Sequence, residues 1–280
     1  MTKTTSIVVA VKNARTLLRS MIAMTTGMAL EATELVVIDG GSSDGTVAWL
    51  ESAAPGGSSA AMSWESRQDS GIAEAWNRGV ARASGEWVIF LGADDRVVDA
   101  VAWNNAIGVM RELPASLGVA VFPVSVVSPS GTVLAEERIP SSAPESPRVH
   151  DSVPHQGAFH RRSLWAMHGG FDESFAIAAD YEFLLRVQAA GVEIRACGDR
   201  PLVAMRFGGA SKRNPLANLR EFRRAQLMHG VRMPPLRRCR AWFSAALRSA
   251  AAATCGESLA RRWADRARRL RGLPPVWDVP

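Results

Sequence analysis

Apolar and polar positions alternate in strand-like and helix-like blocks over the first hundred residues. Ser6 to Val11 (SIVVAV) is a short run rich in β-branched residues, and helical spacing follows from Ala14 to about Met28. Glu34 to Asp39 (ELVVID) is a second buried-strand pattern, ending in the loop GGSSDGT and a helix through Trp49 and Leu50. Ser63 to Glu65 is short enough for an edge strand, Ile72 to Ala83 has helical spacing, and Glu86 to Leu91 (EWVIFL) is again almost continuously apolar. Strands apolar on both faces, separated by helices, predict a mainly parallel sheet covered by helices on both sides.

From about Val119 the pattern is less regular. VAVFPVSVV and TVLAEERI read as strands about the turn SPSG, and Ile139 to Pro154, with four prolines, reads as a long surface loop. Phe183 to Ala190 is helical with Gly191 as a C-cap, and beyond Asn214 the chain is Arg- and Ala-rich and helical. The 280 residues therefore divide into an α/β domain, 1–212, and a helical extension, 213–280. Net charge sharpens that division. Between Arg237 and Arg271 ten arginines face Glu257 and Asp265, a net of +8 against +6 for the whole chain, so the body is slightly acidic. Three cysteines without C-x-x-C spacing argue against a disulfide scaffold or structural zinc and fit a reducing compartment. The first residues hold too short an apolar run for a signal peptide, and no run approaches the ~20 apolar residues of a membrane span.

The chemistry gathers in three loops after strand-like runs: Asp39 in VVIDGGSSDGT, Asp69 in RQDSG, and Asp94 with Asp95 in FLGADD. In an open α/β sheet the ligand crevice lies at the carboxyl ends of the strands. Two adjacent carboxylates at roughly 5 Å repel by about 3 kcal/mol at an effective dielectric of about 20. A solvated turn or a shared cation would each explain the pair. Asp44, before Gly45 and Thr46, reads as a helix cap.

The order SIVVAV, ELVVIDGGSSDGT, DSGIAEAWNRGVARASGEWVIFLGADD and GGFDESFAIAADYEFLLR resembles a family 2 glycosyltransferase over roughly residues 5–212. The resemblance implies a GT-A fold, a Rossmann-like, mainly parallel sheet flanked by helices. It also implies transfer of a sugar from a nucleotide-diphosphate donor (UDP-, GDP- or dTDP-linked) with inversion, using Mg²⁺ or Mn²⁺. Position by position, it places Ala10 and Val11 at the nucleoside, Asp39 at the uracil or ribose, and Asp69 at the base edge. Asn77 lies on the following helix, with Arg78 facing the diphosphate, and Asp94 and Asp95 share the metal and ribose roles. Gly92 departs from the pattern, which often has an acid there. Asp180, in AADYEFLLR, takes the place of the catalytic base; its bland reading is a helix cap, and Glu182 and Arg186 read as a surface i, i+4 pair. His155, Gln156 and Lys212 are placed near the acceptor or diphosphate. The Q-x-x-R-W signature of processive synthases is absent from this region, which points to transfer of one sugar.

The expected acceptor is a glycan or lipid-linked hydroxyl of the cell envelope, and the expected location is cytoplasmic, at the inner membrane face. The tail, with Trp242, Phe243, Leu247, Leu259, Trp263 and Leu270 among arginines, could lie on an anionic membrane or pack on the body as a lid. Nucleic-acid binding is disfavoured by the acidic body. The rivals are a nucleotidyltransferase on a similar fold, for which SIVVAVKNAR lacks a Gly-rich phosphate loop, and a non-catalytic scaffold.

Overall fold

The computed structural model describes residues 4–57, 62–139, 153–208, 214–232 and 256–277, with short pieces between 234 and 250. Its main sheet holds β1 (Thr5–Val11), β2 (Thr33–Asp39), β3 (Met62–Ser66), β4 (Trp87–Gly92), β6 (Leu117–Val121), β9 (Ala158–Arg161) and β10 (Glu193–Ala196). The order is β10-β6-β9-β4-β1-β2-β3, parallel except for β9, which runs antiparallel to both β4 and β6. A second sheet has the order β5-β11-β7-β8, from β5 (Arg96–Val97), β7 (Val124–Val127), β8 (Val133–Glu137) and β11 (Val203–Arg206).

Alternate residues of each central strand serve opposite layers, as the pleat requires. Ile7, Val9, Val37 and Ile89 pack with α1 (Arg15–Gly27), α2 (Thr46–Ala53) and α4 (Ala100–Arg111), through Leu18, Leu50 and Trp103. Val8, Val36, Ile38 and Phe90 face α3 (Ile72–Arg82), α5 (Ser163–His168) and α6 (Ala179–Ala189), through Trp76, Leu164 and Phe183. The expected α/β architecture is present, and so are the expected strands and helices of the first hundred residues.

The second half departs from the expectation in its details. VAVFPVSVV is not one strand. It breaks at Phe122 and Pro123, so that β6 belongs to the main sheet and β7 to the small one; Pro123 has no N–H to continue a ladder. Gly191 follows α6 with φ 83°, a left-handed geometry that glycine adopts without a Cβ penalty. The chain returns there through N–H bonds from Gly191 to the Gln188 carbonyl and from Val192 to that of Val187. Most of the proline-rich loop, 140–152, lies outside the described residues.

The extension is docked at two points. Its first helix, α7 (Pro215–Met228), packs on α6, where Tyr181 and Phe222 stack at 4.2 Å. Its last, α8 (Glu257–Arg269), turns back into a segment whose Val276 packs with Val126 and Leu134 of the small sheet.

Candidate active site

Because β4, β1, β2 and β3 are neighbours running in parallel, the loops that follow them open at one edge of the sheet. Register puts Val11 beside Asp39 and Ala10 beside Gly92, so both residues of the β1 end lie within this group. Val11 is buried in the core layer, whereas Ala10 stays partly open.

Asp39 is fully buried and occupied. Its carboxylate accepts from the N–H groups of Gly41 (3.0 Å) and Ser42 (2.9 Å), from Ser66 Oγ (2.7 Å) and from the Ser42 hydroxyl. Four donors fill the acceptor capacity of a carboxylate. In this arrangement Asp39 shapes the loop after β2 and ties that loop to the end of β3. Asp69 is the more open of the two acids. Half-buried and without a hydrogen-bond partner among the described residues, it lies against Gly40 so closely that a Cβ there would sit 2.5 Å from its Oδ2. Asp44 does cap α2, through the Thr46 N–H, and also binds the Arg15 N–H at the start of α1. Those bonds, the one from Arg15 foremost, hold its carboxyl below the usual range.

Asp94 and Asp95 have separate environments. Asp94 is exposed. Asp95 is buried and accepts from the N–H groups of Gly92 (2.8 Å) and Arg206 (3.2 Å), which pins the turn after β4 to β11. Burial, with the Asp94 charge adding to it, pushes the Asp95 carboxyl up to about 7. A site that disfavours its own negative charge to this degree fits a hard cation, which takes oxygen ligands and restores the ionised form. Among the described residues no group of three or more His, Cys, Asp or Glu converges. Gly92 is also constrained, since a Cβ there would stand 2.9 Å from Asp94 Oδ1. Beside the pair, a cleft of about 170 Å³ runs between Leu17, Met21 and Met24 of α1 and the turn after β7.

The α3 residues brace the elements around them. Asn77 Nδ2 donates to the Phe171 carbonyl and to Glu173 (3.0 Å each), while its Oδ1 accepts from the Phe171 N–H (2.8 Å) and Trp165 Nε1 (3.3 Å). It is a strut between α3 and the GGFDES loop. Arg78 is buried, with Nε on Glu65 (2.6 Å) and Nη1 on the Arg67 carbonyl (3.3 Å), and so braces the strand and loop that lead to Asp69.

The sequence profile of glycosyl transferase family 2 matches residues 6–167. The chain belongs to that family. It is 36% identical over 159 residues to an uncharacterized glycosyltransferase of Mycobacterium tuberculosis, covering 55% of this chain and 56% of the relative. It is 29% identical over 161 residues to a PGL/p-HBAD biosynthesis glycosyltransferase of Mycobacterium bovis, covering 55% and 57%. The chain thus spans about half the length of the curated relatives it matches. Staphylococcus aureus TarS in complex with UDP-GlcNAc superposes with a TM-score of 0.64 at 17% identity, over 81% of this chain and 66% of that one. The mannosyltransferase PcManGT of Pyrobaculum calidifontis, in complex with GDP-Man and Mn²⁺, superposes with 0.59 at 18%, over 95% and 79%. The fold is that of a GT-A glycosyltransferase.

Asp180 stands in the first turn of α6 in this family 2 glycosyltransferase, about one-quarter exposed, with Oδ2 3.8 Å from His155 Nδ1. Its side chain makes no cap for the helix. His155 is buried against Trp76 (4.7 Å between centroids) and stacks on Phe90 of β4 at 5.4 Å. Burial holds its imidazole below the usual histidine range, although the Asp180 charge favours the protonated form. Through Phe90, then, the Asp180 neighbourhood rests on the strand that ends in the Asp94/Asp95 turn. Gln156, half-buried, shares the short turn with His155, and Lys212 lies outside the described residues.

The surface reading of Glu182 and Arg186 is corrected. Glu182 is 2% exposed and takes Arg186 in a bidentate pair (3.0 and 2.8 Å) as well as His229 Nε2 (2.9 Å). Arg186 continues to the carbonyls of His168 and Gly170 (2.5 and 2.7 Å). Their i, i+4 spacing is visible in the sequence, whereas their burial comes from α7 and the loop before α6.

Proposed function

We propose that this family 2 glycosyltransferase moves a single sugar from a UDP-, GDP- or dTDP-linked donor to an acceptor hydroxyl, with inversion at the anomeric carbon, in cell-envelope glycan or glycolipid assembly. The observation that carries the reading is the state of Asp180, a partly exposed carboxylate that, among the described residues, neither caps its helix nor pairs with an arginine or lysine, beside a buried histidine. An acceptor hydroxyl is a weak nucleophile, and a carboxylate placed beside it takes its proton as the oxygen attacks. The new C–O bond forms at the anomeric carbon, the bond to the diphosphate breaks on the opposite face, and the nucleoside diphosphate carries away the electron pair. Asp69 is the carboxylate available to the nucleoside, and Asp94 and Asp95 would hold Mg²⁺ or Mn²⁺. When bound, that ion supplies Lewis-acid compensation for charge on the departing diphosphate. The donor complexes of TarS and PcManGT support the substrate class, and the relative named for PGL/p-HBAD biosynthesis supports the envelope acceptor.

A membrane-surface location is part of the reading. In α8 the residues on one side, Arg261, Asp265 and Arg268, bind the returning chain: Asp265 accepts from the Val276 and Trp277 N–H groups (2.7 and 3.0 Å), Arg268 donates to the Pro274 carbonyl, and Arg261 lies over Trp277. The opposite side presents Leu259, Trp263 and Leu270, the last two 73% and 83% exposed, beside exposed Arg262, Arg266 and Arg269. A tryptophan and leucines bordered by arginines suit the interface of an anionic bilayer. No described helix is long and apolar enough to cross one.

Nucleotide release across a donor set, with and without Mn²⁺ or Mg²⁺, tests the reaction. Turnover of one donor class only with cation is expected, and Asp180→Asn should lower it about 10²–10⁴-fold while donor binding persists. Near-normal turnover by Asp180→Asn would remove it as the base. Sedimentation with phosphatidylglycerol vesicles, lost in Trp263→Ser, tests the location; equal sedimentation of the variant would reject α8 as the contact.

A further inference from the structure

We propose that Glu221, on α7, is a positioning residue for Asp180, so that the C-terminal extension completes the active site. The inference rests on the reading of Asp180 as the base. The Glu221 carboxylate accepts from three consecutive backbone N–H groups, those of Ala176 (3.1 Å), Ile177 (2.8 Å) and Ala178 (2.9 Å). These are the last residues before α6, and Ala178, its N-cap, has no side-chain oxygen to offer. A capping position usually supplies an oxygen from its own side chain. Here the oxygens that order the entry to the helix come from another helix more than forty residues away.

The rest of α7 grips the residues on either side of Asp180. Phe222 stacks on Tyr181 at 4.2 Å, and Gln226 Nε2 donates to the Tyr181 hydroxyl at 3.2 Å. His229, the residue after α7, meets Glu182 at 2.9 Å. Ahead of the helix, Arg224 donates to Ser174 Oγ (2.6 Å) and lies over the Phe175 ring. Among the described residues no α7 side chain bonds Asp180 itself, whose charged neighbour is His155 at 3.8 Å. The chain is therefore held immediately before and after the base while the base stays open. A charge-assisted carboxylate on three amides is the strongest of these restraints, and a misplacement of about 1 Å in a reacting group can cost about 100-fold in rate.

The test is a double-mutant cycle in the full chain, reading kcat and donor KM by nucleotide release. Glu221→Ala should lower kcat about tenfold or more with donor KM within about twofold. Glu221→Gln, which keeps one acceptor oxygen, should recover part of the loss, and it carries the cycle if the alanine variant does not fold. In the Asp180→Asn background either change should cost nothing further. The same loss in both backgrounds, or an unchanged kcat in the wild-type background, would overturn the proposal and leave Asp180 as the base. Wild-type turnover by Asp180→Asn would instead overturn the reading on which it rests.

Discussion

The two ends of the candidate site are built by different means. At the sheet edge the acids are organised mostly by their own loops: Asp39 binds residues two and three positions on, Asp95 binds the N–H three positions back, and Asp44 binds Thr46. At the base, most supporting contacts are remote. His155 approaches from 25 residues before Asp180, Asn77 spans 94 residues to Phe171, and Glu221 reaches back 43–45 residues to the entry of α6. The first kind of site depends chiefly on its own loops, with single ties to Arg15, Ser66 and Arg206. The second fails whenever a distant element shifts, because its geometry is a property of the packing.

The largest expected effect comes from the acidic turn. Replacing Asp94 and Asp95 together by Ala should abolish cation-dependent donor binding while the fold persists; calorimetry with the nucleoside diphosphate and Mn²⁺ reads it, and unchanged affinity would remove the pair from the site. Asp95→Asn alone adds a stability signature. The folded state holds the Asp95 proton up to about 7 against an ordinary value of 3.8, so this residue's contribution is fully present at acid pH and is lost as pH rises through that interval. The asparagine variant should lack that slope, and without cation near pH 7 it should be at least as heat-stable as the wild type. Mn²⁺ should raise the melting temperature of the wild type but not that of the variant. A variant less stable than the wild type under those conditions would contradict the burial argument.

The same contrast explains what could be read before the structure was known. Strand runs such as SIVVAV and EWVIFL, the alternation with helices, and the acidic loops are local patterns, and each stands where its period placed it. The contacts of Asp39 were not legible because no local signal shows which groups a carboxylate will bind; Ser66, one of its partners, is 27 residues away. The partners of Asn77 and Arg78 were hidden for a related reason: helical spacing says which residues share a face but not what that face meets. Glu182 looked like a surface pair because α7, which covers it together with the loop before α6, lies beyond any helical period. Glu221 carried no signal, being one acid in an Arg-rich helix.

The smallest effect belongs to a residue that touches no proposed substrate group. His160, on β9, is fully buried among Phe90, Trp165 and Phe183, and neither of its ring nitrogens has a hydrogen-bond partner among the described residues. Burial, reinforced by His155, drives its imidazole down to about 3, so it is neutral in the fold while an unfolded chain would protonate it near 6.5. A group with a depressed value contributes stability above the unfolded pKa and loses it as pH falls towards the folded one. Acidification from about pH 7 to about pH 5 should therefore destabilise the wild type more than His160→Phe, which keeps the edge-to-face ring contacts and removes the titration. Melting temperatures across that range, with turnover near pH 7 as the control, provide the measurement. Parallel pH profiles for the two proteins would show that His160 protonates without unfolding the core. The base end would then be more open to water than its remote contacts imply, and the contrast between the two ends would weaken accordingly.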